Sequence, residues 1–253
     1  MRTCSIFLVG TLTVACLPLL AVVPQAQCEQ VKLLASDSER SDMFGLPVSI
    51  DSPRAIAGAH QDDDLGSNAG AAYVFEWDGQ TWIESAKLVA SDGVQGDIFG
   101  FAVAISGQRA LIGSPFSDAN GSAEGYGYVF EPGEIGWAKS AILSTNDASG
   151  GQFIGLAVAL DSDTAVLGSY EADDFGFDAG VAYVFEFDGM NWNQTAKLRP
   201  SDVGTNHQFG NKVAVSGEVI VVGAVGDSTS VSVGGSAYVF EKQSGAWVEV
   251  AKA

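Results

Sequence analysis

Carboxylates are the side chains that could do chemistry in this chain, and they gather in short loops with other oxygen donors. Asp118, Asn120, Ser122 and Glu124 stand at alternate positions around Gly121, a spacing that suits a hard cation such as Ca2+. Asp62 and Asp64 with Asn68, and Asp173 with Asp174 and Asp178, are looser versions of the pattern. Calcium in at least one of these loops is therefore one expectation. The plainer reading assigns Asp and Gly to turns, Asp through local hydrogen bonds to the backbone and Gly through its access to positive φ. Asp37, Asp92, Asp147 and Asp202 are read in that way. A zinc-type site has no support, because His60 and His207 are the only histidines and no cysteine pair follows the leader. Catalysis has little to draw on: there is no nucleophile elbow, no Gly-Lys phosphate loop and no metalloprotease helix. A glycosidase needs one specific carboxylate pair across a cleft, and repeated turns single out none. The expectation is a non-catalytic chain, with part of a polysaccharide hydrolase or lyase as the alternative.

The charge balance narrows the partners. Among 253 residues, 31 are Asp or Glu and 12 are Lys or Arg, a net charge of −19. Such a chain lacks the basic stripe that nucleic acid requires and is repelled by anionic lipid. Its 47 % hydrophobic content is too high for disorder. Residues 1–28 read as a secretory signal peptide, with Arg2 ahead of an apolar run over 6–23 and Ala26 near the end. The expected location is extracellular or periplasmic, with membrane contact only if the leader stays attached. Cys4 and Cys16 lie in the leader, which leaves Cys28 at most, so no internal disulfide is expected.

What must position the loops is a repeat of fixed length. Tyr73, Tyr128, Tyr183 and Tyr238 each open a Tyr-Val-Phe run, and Trp82, Trp137, Trp192 and Trp247 keep the same offset of 55. Phe44-Gly45, Phe99-Gly100, Ile154-Gly155 and Phe209-Gly210 keep it too. Each unit alternates apolar and polar residues at period two, broken by turn pairs such as Ser106-Gly107, Asp78-Gly79 and Asp188-Gly189. The reading is all-β: four blades of four antiparallel strands, at about 38–90, 93–145, 148–200 and 203–253, stacked as a β-propeller with aromatics between sheets. An extra outer strand is expected at 31–36, where Val31-Lys32-Leu33-Leu34 copies the fourth-strand motif. The ring is expected to be incomplete, or closed with that strand redundant.

These residues resemble the FG-GAP repeat family, the blade type of integrin α-chain propellers and of many secreted bacterial proteins. The Gly-Ala-Pro half is best kept in Gly113-Ser114-Pro115 and degraded in Gly58-Ala59-His60, Gly168-Ser169-Tyr170 and Gly223-Ala224-Val225. The resemblance implies export and binding. It does not carry over the integrin calcium loop, because a short turn such as Ser106-Gly107-Gln108 replaces it here.

In an up-and-down blade the second-to-third and fourth-to-first connections emerge at one end. Those two sets hold more than half of the acidic residues, so one rim is expected to be strongly negative. The functional expectation is a binding or adhesion module that takes an extracellular protein or glycan on this rim. A calcium-assisted lectin-like module is the alternative. His60 and Tyr170, in the proline slot, are expected to pack, and His207 to be a solvated loop residue.

Overall fold

The computed structural model describes residues 31–117, 123–145, 151–228 and 234–253, of which those from Leu33 onward form one unit. The leader expected at 1–28 lies outside the described residues.

Every repeat folds as four strands. The first blade is β1 (Val48–Asp51), β2 (Arg54–Ala59), β3 (Ala71–Trp77) and β4 (Trp82–Leu88). The second is β5 (Ala102–Ser106), β6 (Arg109–Ser114), β7 (Tyr126–Pro132) and β8 (Trp137–Leu143). The third is β9 (Ala157–Asp161), β10 (Thr164–Ser169), β11 (Val181–Phe187) and β12 (Trp192–Leu198). The fourth is β13 (Phe209–Ser216), β14 (Val219–Ala224), β15 (Ser236–Gln243) and β16 (Ala246–Lys252). Each sheet is a plain antiparallel meander in chain order. The Asp-Gly turns are closed by side chains: the Asp78 carboxylate accepts the N–H groups of Gln80 and Thr81, and Asp188 does the same for Met190 and Asn191. In all four blades the register of the outer pair slips between the Val and Phe of the Tyr-Val-Phe run, as between Val74 and Phe75. A bulge at that point sharpens the strand twist.

The aromatic repeat is the glue between sheets. Ile56, Val74 and Leu88 of the first blade meet Phe99, Val103, Ile105, Tyr128 and Phe130 of the second. Leu111, Val129 and Leu143 then meet Ile154, Leu160, Tyr183 and Phe185 of the third. Val166, Val184 and Leu198 meet Phe209, Val222, Tyr238 and Phe240 of the fourth. Phe99 stands edge-on to Tyr128 and Phe209 edge-on to Tyr238, with ring centres 5.4 and 5.5 Å apart.

Glycine lets the sheets approach. A Cβ on Gly58, Gly113 or Gly168 would lie 2.1 Å from the carbonyl oxygen of Gly100, Gly155 or Gly210 in the following blade. The Gly-Ala-Pro glycine of one blade thus receives the Phe-Gly glycine of the next, which explains why the two half-motifs travel together.

The arc is open. Among the described residues no apolar cluster joins the fourth sheet to the first. Val48 and Ile50 of β1 are 69 and 67 % exposed, whereas their equivalents Val103 and Ile105 are 7 and 4 % exposed. The strand expected at 31–36 is not formed, because a fourth strand pairs with a third strand and, among the described residues, every third strand already has its partner. Leu33 and Ala35 nonetheless pack on Tyr73 and Phe75, at the positions that Leu88 and Ala90 hold before the second blade.

Candidate functional site

Both families of long loops leave the blades at one end. The connection from β4 to β5 is tied to the β2–β3 loop, the Gly96 N–H donating to Ser67 O and Ile98 to Asn68 O. The connection from β12 to β13 repeats this against the β10–β11 loop, with Asn206 donating to Phe177 O and Gln208 to Asp178 O. The described loops therefore share one rim. Asp37, Glu39, Asp63, Asp64, Asp92, Asp173, Asp174 and Asp202 are exposed on it.

Beneath the rim, three blades hold an ammonium group among acceptors. In the first, the Tyr73 hydroxyl lies 2.7 Å from Asp37 Oδ1 and 2.9 Å from the buried Asp62 Oδ2, and donates to one at a time. Lys87 Nζ lies 2.8 Å from Asp37, 2.8 Å from Asp62 and 2.6 Å from Asp64. It also sits 5.4 Å from the centre of the Tyr73 ring. The fourth blade repeats the arrangement, with Lys252 Nζ 2.5 Å from Asp202 and 2.6 Å from Asp227 and the Tyr238 hydroxyl 2.7 Å from both acids. The third uses Lys197 on Asp174 at 3.0 Å, while the Tyr183 hydroxyl donates to Gln152 Oε1. The second replaces the lysine by Ile142 and the buried acid by Ser117, and Lys139 reaches Asp92 from another strand position at 2.7 Å.

Electrostatics follow from these contacts. Burial alone would raise the Asp37 carboxyl, but the Lys87 ammonium and the Tyr73 hydroxyl outweigh it and hold the pKa below the usual value. Asp202 is lowered in the same way by Lys252 and Tyr238. Burial works to lower the Lys87 pKa, yet the three carboxylates overcome it and the pKa rises. Desolvation pushes the Tyr128 hydroxyl up to about 12.

The residues expected to hold calcium are thereby placed. Asp118, Asn120 and Ser122 lie outside the described residues, and the Glu124 carboxylate stands 3.5 Å from the Tyr126 hydroxyl. Asp173 Oδ1 accepts the Asp178 N–H at 2.8 Å, closing the third blade's loop as Asp63 closes the first on the Asn68 N–H. Asp62 and Asp64 do come together, joined by Asp37, with oxygens within 4.8 Å of one another. Lys87 bonds all three of these acids, so a divalent ion there must displace an ammonium. The donor set does not fit a resident metal.

The sequence reading missed two features. Lys87, Lys197 and Lys252 keep the 55-residue register and carry a signal that went unused. Apolar side chains also stand out on the rim: Leu65, Phe116, Phe175 and Phe177 are all exposed. The Arg199 guanidinium lies 4.8 Å from the Phe175 ring centre, and Phe116 leans on Phe153 at 4.9 Å. His60 packs against Phe101 as expected. His207, expected in solvent, is buried instead, because it takes the inward position of Asp42, Asp97 and Gln152 in the other blades.

A search among curated proteins returned no match. The family model for the FG-GAP repeat matches residues 28–75, 82–130, 137–185 and 192–240. Each matched unit starts near the outer strand of one blade, or the segment in its place, and ends on the Tyr-Val-Phe strand of the next, so each pair of meeting glycines is shared between two successive units. The chain belongs to the FG-GAP repeat family.

Proposed function

We propose that this chain is an exported, non-catalytic binding and adhesion module that captures an extracellular protein on its loop rim. The observation that carries this reading is the set of exposed apolar side chains (Leu65, Phe116, Phe175 and Phe177) standing among carboxylates on the end where both loop families converge. Aromatic anchors inside a charged margin are the usual composition of a binding hot spot. The acidic margin favours a ligand surface carrying Lys or Arg, which speaks for protein over neutral glycan. Calcium has no part in this reading, because Asp62 and Asp64 are held by Lys87 and Asp63 and Asp173 close their own loops.

The test is a binding panel of extracellular proteins and glycans, run with and without chelator. Capture of a basic protein, unchanged by chelator and weakened at least tenfold by Phe177→Ala, is the expected result. Capture of a glycan alone, or binding that survives Phe177→Ala and Phe116→Ala together, overturns it.

A further inference from the structure

The two ends of the arc carry the residues that elsewhere form the two sides of a blade junction. The face of the fourth blade that looks away from the third carries Ala214, Val221, Ala237, Val239 and Ala251. These are the register equivalents of Ala159, Val166, Ala182, Val184 and Ala196, which meet the fourth blade. Val166 is fully buried there, whereas Val221 is 36 % exposed. Gly223 makes the same point through its backbone. Its equivalents Gly58, Gly113 and Gly168 are each needed to admit the next blade, yet around Gly223 a Cβ would meet nothing closer than 3.7 Å, and its φ is not positive. Nothing among the described residues requires glycine at that position. At the opposite end, the first blade presents Phe44, Val48 and Ile50, equivalents of Phe99, Val103 and Ile105, which insert against the blade before them.

We infer that a second copy of this chain packs the front of its first blade onto the back of the fourth, repeating the internal blade junction between molecules. Gly45 of one copy then faces Gly223 of the other, and Val48 and Ile50 cover Val221 and Val239. Glu241 repeats Glu186, whose carboxylate accepts from the Trp247 indole at 3.2 Å and pairs with Lys242 at 2.8 Å. In the joined molecules it takes the indole N–H of the other copy's Trp82. The last residues of β16 occupy the register of Leu33, so Leu33 gives way while Ala35 keeps its place. The contact is heterologous: it uses two different surfaces, and closes a ring or extends according to the rotation between copies.

The test is solution mass by light scattering over a range of concentrations. The wild-type chain is expected to exceed the mass of a single chain in a concentration-dependent way. Gly223→Ala should reduce it to one chain without lowering the melting temperature at dilutions where the wild type is itself a single chain, since the new methyl meets nothing closer than 3.7 Å within its own molecule. Val48→Asp blocks only the front and Val221→Asp only the back, both at exposed positions that folding tolerates. Each alone should be a single chain, and an equimolar mixture should form one-to-one pairs and nothing larger. A wild-type chain that stays at single-chain mass at every concentration overturns the proposal. So does a larger species that survives both substitutions, or a mixture that fails to pair.

Discussion

A lysine ammonium held by three carboxylates under an acidic rim is a charge-compensation device built from the chain itself. Asp62 is buried between Tyr73 and Lys87, 2.9 Å from the hydroxyl and 2.8 Å from the ammonium, so removing the ammonium takes away its cationic partner. Replacing Lys87 by Ile, the residue the second blade carries at 142, strips the ammonium from all three acids. The expected loss is about 2 kcal/mol, seen in calorimetry as a melting temperature lower by about 4–8 °C for a chain of this size. An unchanged melting temperature would show that the ammonium contributes no net stability. The pH dependence has a definite sign. Asp37 and Asp202 have folded pKa values below the ordinary 3.8, so the stability they contribute is complete above that value. It is lost as the pH falls through their depressed folded values. Urea unfolding at descending pH should therefore weaken most steeply below 3.8. The gap between wild type and Lys87→Ile should narrow over the same interval, because protonated acids no longer need the ammonium.

At the scale of the blade, the Gly-to-Gly contact between neighbours decides which glycines matter. Gly113→Ala would put a methyl 2.1 Å from the Gly155 carbonyl oxygen, a backbone atom that cannot step aside. Overpacking of this kind costs about 1–3 kcal/mol, and urea midpoints should fall accordingly, while Gly223→Ala should leave them unmoved. An equal fall at the two positions would mean that the approach of the next sheet does not set the cost, since the backbone entropy term of Gly→Ala stabilises. This junction was legible early, since Phe-Gly and Gly-Ala-Pro elements at a constant spacing imply equivalent sheets, and period-two apolar runs place the strands. The outer strand at 31–36 was misread because pattern alone does not reveal whether a partner edge is present. The lysine nests were hidden for a related reason. Lys87 reads as the polar member of an alternating strand, and only the fold shows that its neighbours across the sheet end are Asp37 and Asp62. His207 reads as a solvated loop residue because a lone polar side chain in a loop does not reveal the buried slot that Asp42, Asp97 and Gln152 fill in the other blades.

Over the whole molecule, two surfaces of opposite character coexist: a negative rim and two apolar end faces. With a net charge of −19, two copies repel at long range, and that repulsion opposes a junction whose own attraction is apolar and scarcely screened. Salt shortens the reach of the repulsion, from about 30 Å at 0.01 M to about 10 Å at 0.1 M, without weakening burial. Self-association through the end faces should therefore strengthen as sodium chloride rises. Capture of a basic protein on the rim depends on attraction between unlike charges and should weaken over the same range. Light scattering and a binding titration on one preparation, at low and high salt, read both trends together. Opposite slopes would separate the rim from the junction as independent sites. Mass that falls with salt in parallel with binding would mean that copies are held together by attraction between unlike charges, with the end faces left bare.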